Sequence, residues 1–422
     1  MAGSSAGTAV PDIATLLEIV VEARVRTVFQ PIVDLETGEV LALEALSRGP
    51  AGPYEAPTEL FRAAGAVGLT DKLDHACFLA ALRNASELQL QEPIALFVNV
   101  EPGAIATAPL DDLAALTERG ARLRVVVEIT ERALASRPAE LLTAAERVRQ
   151  LGWAIALDDV GVDSASLTFM DLLRPDIVKL DLALVQDQPS RAVAEVIHAV
   201  NAYAERSGAL VLAEGIETAE HLEMARALGA TLGQGWLFGR PDPRPAGVGH
   251  DRWLFPRPPA GIRSEQSLLS AFSHVPRSMP VRRSTKRLLI ELSKQLEREA
   301  MRAGEIAMLA ATFQHEAQFT PDTARRYEGL SDATGFVCAI AAGLPADPVP
   351  GVRGATLGPS DPMLQEWNVV VVHPHFTAAL LARDLGDAGP ELERRFDYVL
   401  TYKRELVTAA ARTLLSRIAP HH

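Results

Sequence analysis

The chain has 422 residues, 48% of them hydrophobic, and a formal net charge of −13. That length suits two or three domains, and the hydrophobic share supports a large buried core rather than disorder. The acidity excludes a sequence-blind nucleic-acid binder, which must neutralise phosphates over a broad surface, but it leaves room for a local basic pocket around a small phosphate ligand.

The N-terminus, Met1-Ala2-Gly3-Ser4-Ser5-Ala6-Gly7, lacks the basic start and apolar stretch of a secretory signal. No apolar run is long enough to span a bilayer, so the expectation is a soluble cytoplasmic protein without membrane or DNA partners. Residues 1–24 read as a tail and a first helix.

From Arg26 to Gly239 short apolar runs alternate with amphipathic stretches, the pattern of βα units. The runs cover residues 27–33, 40–46, 94–100, 123–129, 153–160, 177–180, 210–216 and 233–238, with helical patterns at 139–151, 191–207 and 219–228. Eight such units in about 240 residues predict an α/β fold, a (β/α)8 TIM-like barrel over residues 25–245, rather than an open sheet. The gap Asp34-Leu35-Glu36-Thr37-Gly38-Glu39 is too short for a helical crossover. It reads as a hairpin, so one strand runs antiparallel to the rest.

Prolines at 241, 243, 245, 256, 258 and 259 then crowd one stretch, and residues 246–261 read as a linker. A smaller mixed α/β domain follows over 262–420. Arg282-Arg283 and Lys286-Arg287 read as a solvated helix start. Leu288, Leu289, Leu292, Leu296 and Ala300 sit at helical spacing, as a core-facing stripe or an oligomerisation seam. Thr320 to Thr323 predict a helix start with Pro321 in its first turn. Trp367 precedes four valines and suits a core strand. His373-Pro374-His375 offers two metal-ligand side chains without an evident third, so a plain turn is the simpler reading. Cys77 and Cys338, the chain's two cysteines, lie in apolar runs and read as buried thiols.

A polar residue stands at nearly every strand end of the first domain. Glu44, Asn99, Glu128, Asp158 with Asp159, Lys179 and Glu214 each close or follow an apolar run, and Gln234 opens the last one. In a barrel these ends gather at one mouth. Five converging carboxylates repel unless cations offset them. Oxygen donors without His or Cys suit Mg²⁺ or Mn²⁺. Any single acid could simply cap the next helix, but an apolar run before each of them argues against chance.

At these residues the sequence resembles the EAL family of cyclic-di-GMP phosphodiesterases. The segments are Phe29-Gln30-Pro31-Ile32, Glu44-Ala45-Leu46-Ser47-Arg48, Asn99, Glu128-Ile129-Thr130-Glu131, Asp158-Asp159, Lys179-Leu180-Asp181, Glu214-Gly215-Ile216-Glu217 and Gln234-Gly235. The resemblance implies one cation on Glu44, Asn99, Glu128 and Asp158, and a second on Asp158, Asp159 and Glu214. It implies in-line attack of water on one phosphorus, opening the ring to linear pGpG. Lys179, Glu44 and Gln234 would act in catalysis. Gln30, Leu46, Arg48 and Asp181 would contact substrate, with Arg48 forking onto a phosphate. Glu131 and Glu217 would support the ligands from behind. The family also implies a homodimer through the barrel.

Two stretches depart from the family pattern. The loop Val160-Gly161-Val162-Asp163-Ser164 lacks the usual Phe, second Gly and aromatic, which bears on how a dimer couples to the site. Phe61-Arg62-Ala63-Ala64-Gly65 lacks an acid that the family often places near a guanine. The expected function is therefore metal-dependent hydrolysis of cyclic-di-GMP, the alternative a receptor or protein-interaction module without turnover. Retention of every ligand position favours the enzyme.

The C-terminal half resembles the DICT sensory domain. The segments are Phe319-Thr320-Pro321-Asp322-Thr323, Val352-Arg353-Gly354-Ala355-Thr356-Leu357, Glu366-Trp367-Asn368-Val369, Ala382-Arg383-Asp384 and Phe396-Asp397-Tyr398. The resemblance implies a module that senses an input, engages a signalling partner, and tunes the barrel.

Overall fold

The computed structural model describes residues 13–22, 24–88, 94–107, 123–130, 136–162, 165–188, 190–245 and 270–419. The expected linker at 246–261 and the tail at 1–12 lie outside them.

All eight apolar runs form strands. β1 (Arg26–Asp34), β2 (Val40–Arg48), β3 (Ile94–Asn99), β4 (Leu123–Thr130), β5 (Ala154–Val160), β6 (Ile177–Leu180), β7 (Leu210–Ala213) and β8 (Leu232–Gln234) close into a barrel in sequence order. β1 runs antiparallel to both β2 and β8, while the other neighbours are parallel. The hairpin behind this reversal is built by Asp34, whose carboxylate accepts from the backbone N–H of Glu36 (2.8 Å) and Thr37 (3.0 Å). Gly38 completes the turn at φ 75°, a left-handed angle that glycine adopts without strain. Closure is by Ile32 opposite Gln234 and a further bridge between Phe29 and Asp242.

The lumen is filled by Ile32, Ala42, Ala95, Phe97, Val126, Ala156, Ile177, Leu212 and Leu232. Side chains alternate along a strand, so the next inward position after each filler is fixed by the period of two. Ala42 is followed by Glu44, Phe97 by Asn99, Val126 by Glu128, Ala156 by Asp158, Ile177 by Lys179, Leu212 by Glu214 and Leu232 by Gln234. The polar ring is thus the layer directly above the apolar plug.

The expected helices appear as Pro138–Gln150, Arg191–Ser207 and Ala219–Ala227. Ser190 and Thr218 cap the last two, accepting from the N–H of Val193 and His221. Among the described residues no helix is long and apolar enough to cross a membrane.

The second domain is a seven-stranded mixed sheet in the order β12-β11-β10-β13-β14-β15-β9. The strands are β9 (Arg282–Thr285), β10 (Met308–His315), β11 (Phe336–Ala342), β12 (Val352–Thr356), β13 (Glu366–His373), β14 (Phe376–Asp384) and β15 (Arg395–Thr401). Its central strands bury both faces, which explains the unbroken valine run of β13. Leu309, Ala311, Val337, Val369 and Val371 meet the helices Lys286–Ala303 and Pro321–Ser331 on one face. Met308, Ala310, Cys338, Val370 and Val372 meet the helix Arg404–Leu415 and the outer layer of the barrel on the other, in one continuous core.

The stripe on Lys286–Ala303 is core-facing, with Leu289, Leu296 and Ala300 buried and only Leu288 exposed. Thr320 caps Pro321–Ser331 through the N–H of Thr323. Trp367 packs on β13 edge-on to Phe396. Burial raises the thiols of Cys77 and Cys338 to about 11 and about 12, as expected of unreactive core cysteines. One reading needs correction: Arg282 and Arg283 lie in edge strand β9, not in a helix start. Arg283 pairs with Asp397 at 2.8 Å across to β15, and the helix begins only at Lys286. The segment is a strand because its backbone pairs antiparallel with β15, a partner more than 100 residues downstream that local sequence does not show.

Candidate active site

Eight of the singled-out side chains meet at the barrel mouth in one bonded cluster. The ammonium of Lys179, buried on β6, lies 2.5 Å from Glu128 Oε1, 2.8 Å from Asp158 Oδ1, 2.7 Å from Glu214 Oε1 and 3.6 Å from Glu44 Oε1. Asn99 Nδ2 donates to Glu128 Oε2 at 2.7 Å and to Glu44 Oε1 at 3.5 Å. Gln234 Nε2 donates to Glu44 Oε2 and, at 3.2 Å, to Gln30 Oε1. Gln30 is held in turn by its own donation to Gly239 O. The reversed strand therefore contributes Gln30 opposite Glu44, a position the hairpin register fixes.

Gly235 lets the last strand approach closely: a Cβ there would stand 2.0 Å from Ile216 O. That contact seats Gln234 over the mouth. Asp159 adopts φ 55°, a left-handed angle that Asp tolerates better than most residues. Its carboxylate lies with those of Asp158 and Glu214 so that one oxygen from each falls within 4.8 Å of the others, the one such group of metal-ligand type among the described residues.

Electrostatics follow from crowding. Burial raises the Glu128 carboxyl well above its usual range, Glu44 and Asp158 push it further, and Lys179 opposes them. Burial also lifts Glu214 to about 8, against the pull of Lys179. For Lys179 burial works downward, but Asp158, Glu128, Glu214 and Glu44 together hold its ammonium well above the normal lysine value. The ring needs positive charge, and the donors are all hard oxygens. Divalent cations of the Mg²⁺ class fit that donor set.

Beside this ring a cleft of about 270 Å³ opens between β2, β3 and the helix Thr70–Glu87. Leu46, Arg48, Asn99 and Glu128 line it, and so do Asp74 and Glu101. Asp74 was not anticipated. Its carboxylate accepts from the Glu101 N–H at 3.0 Å, and burial raises it to about 7. The available signal was an acid set between Leu73 and Ala76-Cys77 on a buried helix face. Other expected residues stand apart from the ring. Asp181 uses its carboxylate to cap the helix Leu182–Gln186 through the Ala183 N–H. Glu217 is exposed, and Glu131 lies outside the described residues.

His373 and His375 do gain a neighbour, the His198 ring from the barrel, 4.2 Å from that of His375. Their ligand atoms do not converge.

Residues 14–241 match the EAL domain family, and residues 265–385 match the family described as Sensory domain in DIguanylate Cyclases and Two-component system. Among curated proteins, the cyclic di-GMP phosphodiesterase NbdA of Pseudomonas aeruginosa is 34% identical over 223 residues, 51% of this chain and 28% of that protein. The cyclic di-GMP phosphodiesterase RocR of the same organism is 31% identical over 240 residues, 55% of this chain and 61% of that protein. The chain thus spans less than two thirds of either relative. Among solved structures, the Klebsiella pneumoniae BlrP1 manganese/cy-diGMP complex aligns with TM-score 0.47 at 29% identity, over 52% of this chain and 56% of that one.

Proposed function

The chain belongs to the EAL domain family, and from that premise we propose that its barrel, over residues 25–245, hydrolyses cyclic di-GMP to linear pGpG, tuned by a sensory domain over 262–420. The single observation that carries this reading is the buried ring itself: carboxylates from separate strands packed around one ammonium at a barrel mouth. A module that only bound a nucleotide has no need to bury so many like charges, each of which costs several kcal/mol to desolvate.

The residues divide the work. Glu44, Asn99, Glu128 and Asp158 would hold one Mg²⁺ or Mn²⁺ ion, and Asp158, Asp159 and Glu214 a second. The ions, when bound, would acidify a water and neutralise charge on the phosphodiester. Lys179 offsets negative charge on the phosphoryl group. Gln234 fixes the orientation of Glu44 through its amide donor. Arg48 and Leu46 line the cleft that would take the nucleotide, and Asp74 offers a buried acceptor for the donor edge of a base. Asp181, Glu131 and Glu217 belong to the outer support of this reading.

A homodimer through the barrel remains part of the proposal. The test is chromatography of cyclic di-GMP incubated with the full chain and Mn²⁺, beside Glu44→Gln. Appearance of pGpG that the variant lacks supports hydrolysis; saturable nucleotide binding without product makes the domain a receptor.

A further inference from the structure

The second sheet ends at β9, a strand of four residues laid against the seven of β15. What β9 leaves uncovered follows from the ladder. In an antiparallel sheet, successive residues of a strand turn their N–H and C=O alternately to its two edges. Arg394 O accepts from Lys286 N at 2.8 Å, on the β9 side, and Arg395 O accepts from Leu385 N at 3.1 Å, on the β14 side. Even-numbered residues of β15 therefore face β9. Tyr398, opposite Arg282, is the last of them to be paired. Leu400 follows on the same edge, and the same register would set Pro280 against it. Proline has no N–H to give, and the ladder stops there. The N–H and C=O of Leu400 are left without a backbone partner among the described residues.

That open position borders a cavity of about 530 Å³, a volume typical of small-molecule sites. Met279 and Tyr402 give it apolar surface, and the Tyr402 side of it is open, since that residue is 60% exposed. Arg282 and Lys403 line it as well. Nearby cations are paired: Arg283 with Asp397, Lys286 with Glu391 and Arg287 with Glu393. Arg282 and Lys403 have no such carboxylate among the described residues. In a chain of net charge −13, two spare cations at one cavity select an anion.

The open edge is also short. β9 holds the positions on one side of it, and on the other Lys403 leads into the helix Arg404–Leu415. A single extended residue fits there, exchanging N–H and C=O with Leu400 as a strand partner does, and a longer strand does not.

We propose that this cavity binds a small acylated amino acid: its N–H donates to Leu400 O, its carboxylate accepts from Leu400 N–H between Arg282 and Lys403, and its apolar side chain rests on Met279 and Tyr402. The proposal deepens the sensory reading of the second domain, on which it rests for the ligand's role as an input, and it stands apart from the chemistry of the barrel.

The test is calorimetric titration of the full chain with N-acetyl-L-phenylalanine. Two comparators separate the contacts. The neutral carboxamide of the same compound keeps the N–H and C=O without the charge, and 3-phenylpropanoate keeps the charge without the N–H. The acid should saturate with a Kd on the order of 1 mM. Each comparator should bind about tenfold more weakly, the cost of one lost ionic or backbone hydrogen bond in such a site. Arg282→Gln/Lys403→Gln should weaken the acid about tenfold and leave the carboxamide within about twofold. Both side chains are exposed, so the fold should persist. If circular dichroism shows the double variant unfolded, Lys403→Gln replaces it and should shift the acid's affinity in the same direction. Absence of saturable binding in the parent, equal affinity for acid and carboxamide, or parent-like affinity in a folded variant each overturns the proposal. None of these readings involves pGpG: a parent that binds the acid but forms no pGpG overturns the phosphodiesterase reading and leaves this site standing.

Discussion

Lys179 Nζ and Glu214 Oε1 stand 2.7 Å apart, one at the top of β6 and the other just past its neighbour β7. The same ammonium serves Glu128, Asp158 and Glu44, so it is the one cationic centre of the described ring. Replacing it with a neutral side chain of similar length leaves those acids facing each other. Lys179→Met should lower stability in chelator by about 3–5 kcal/mol, the cost of breaking a buried pair. Added Mn²⁺ should raise the unfolding midpoint of the variant more than that of the parent. Equal metal-induced shifts in the two proteins count against a shared cation cage.

Asp159 combines a ligand's charge with a left-handed backbone. Asparagine accepts the same angle, so Asp159→Asn separates the two roles. Its thermal midpoint should stay close to the parent's while pGpG formation falls about 100-fold, or ~2.7 kcal/mol of barrier. Product chromatography beside a melting curve decides it. Parent-like turnover removes Asp159 from the metal set.

Asp74 gives the protein a pH dependence of known sign. Burial lifts its carboxyl to about 7 in the folded chain, against an unfolded value of about 3.9. Between those values the folded state holds a proton that the unfolded state has released, so stability falls as pH rises through the window and levels above it. Asp74→Asn lacks this slope. In urea unfolding its advantage over the parent should grow from near zero at pH 4 to at most about 4 kcal/mol at pH 8. A difference that does not change with pH shows the carboxyl ionised throughout.

Phe169 and Phe336 join the two domains inside one core. The parent should therefore melt in a single calorimetric transition. Phe169→Ala should cost about 3–5 kcal/mol, the usual loss for a buried aromatic. It should also split the melt into two steps as the barrel and the second sheet uncouple. A parent that already melts in two steps argues against the continuous core.

The barrel was legible because its signals are local. An apolar run followed by an acid recurs at Val125–Val127 with Glu128 and at Val211–Ala213 with Glu214, and a period of two turns that adjacency into an inward ring. The hairpin at Asp34 and the caps at Ser190 and Thr218 are also short-range chemistry. What stayed hidden was non-local. Asp74 enters the cleft because the helix Thr70–Glu87 packs beside β3; its apolar neighbours Leu73 and Ala76-Cys77 mark its helix face as buried but do not say what that face meets. Arg282 and Arg283 form a strand because Asp397 and β15 lie opposite. The helix Ala165–Leu173 did carry a signal, its apolar character on all sides, but the second cover comes from residues more than 160 positions downstream, such as Phe336.

The first and last strands of the barrel are the ones that seal it, through Ile32 with Gln234 and Phe29 with Asp242. Those partners are about as distant along the barrel's chain as two of its residues can be, and such contacts form slowly. A ribosome that has emitted only the early strands has released Glu44 without the Gln234 amide that steadies it, and Lys179 without Glu214. A chain cut short of the last strand therefore carries an incomplete cage, and only the sewn seam brings every member of the ring together.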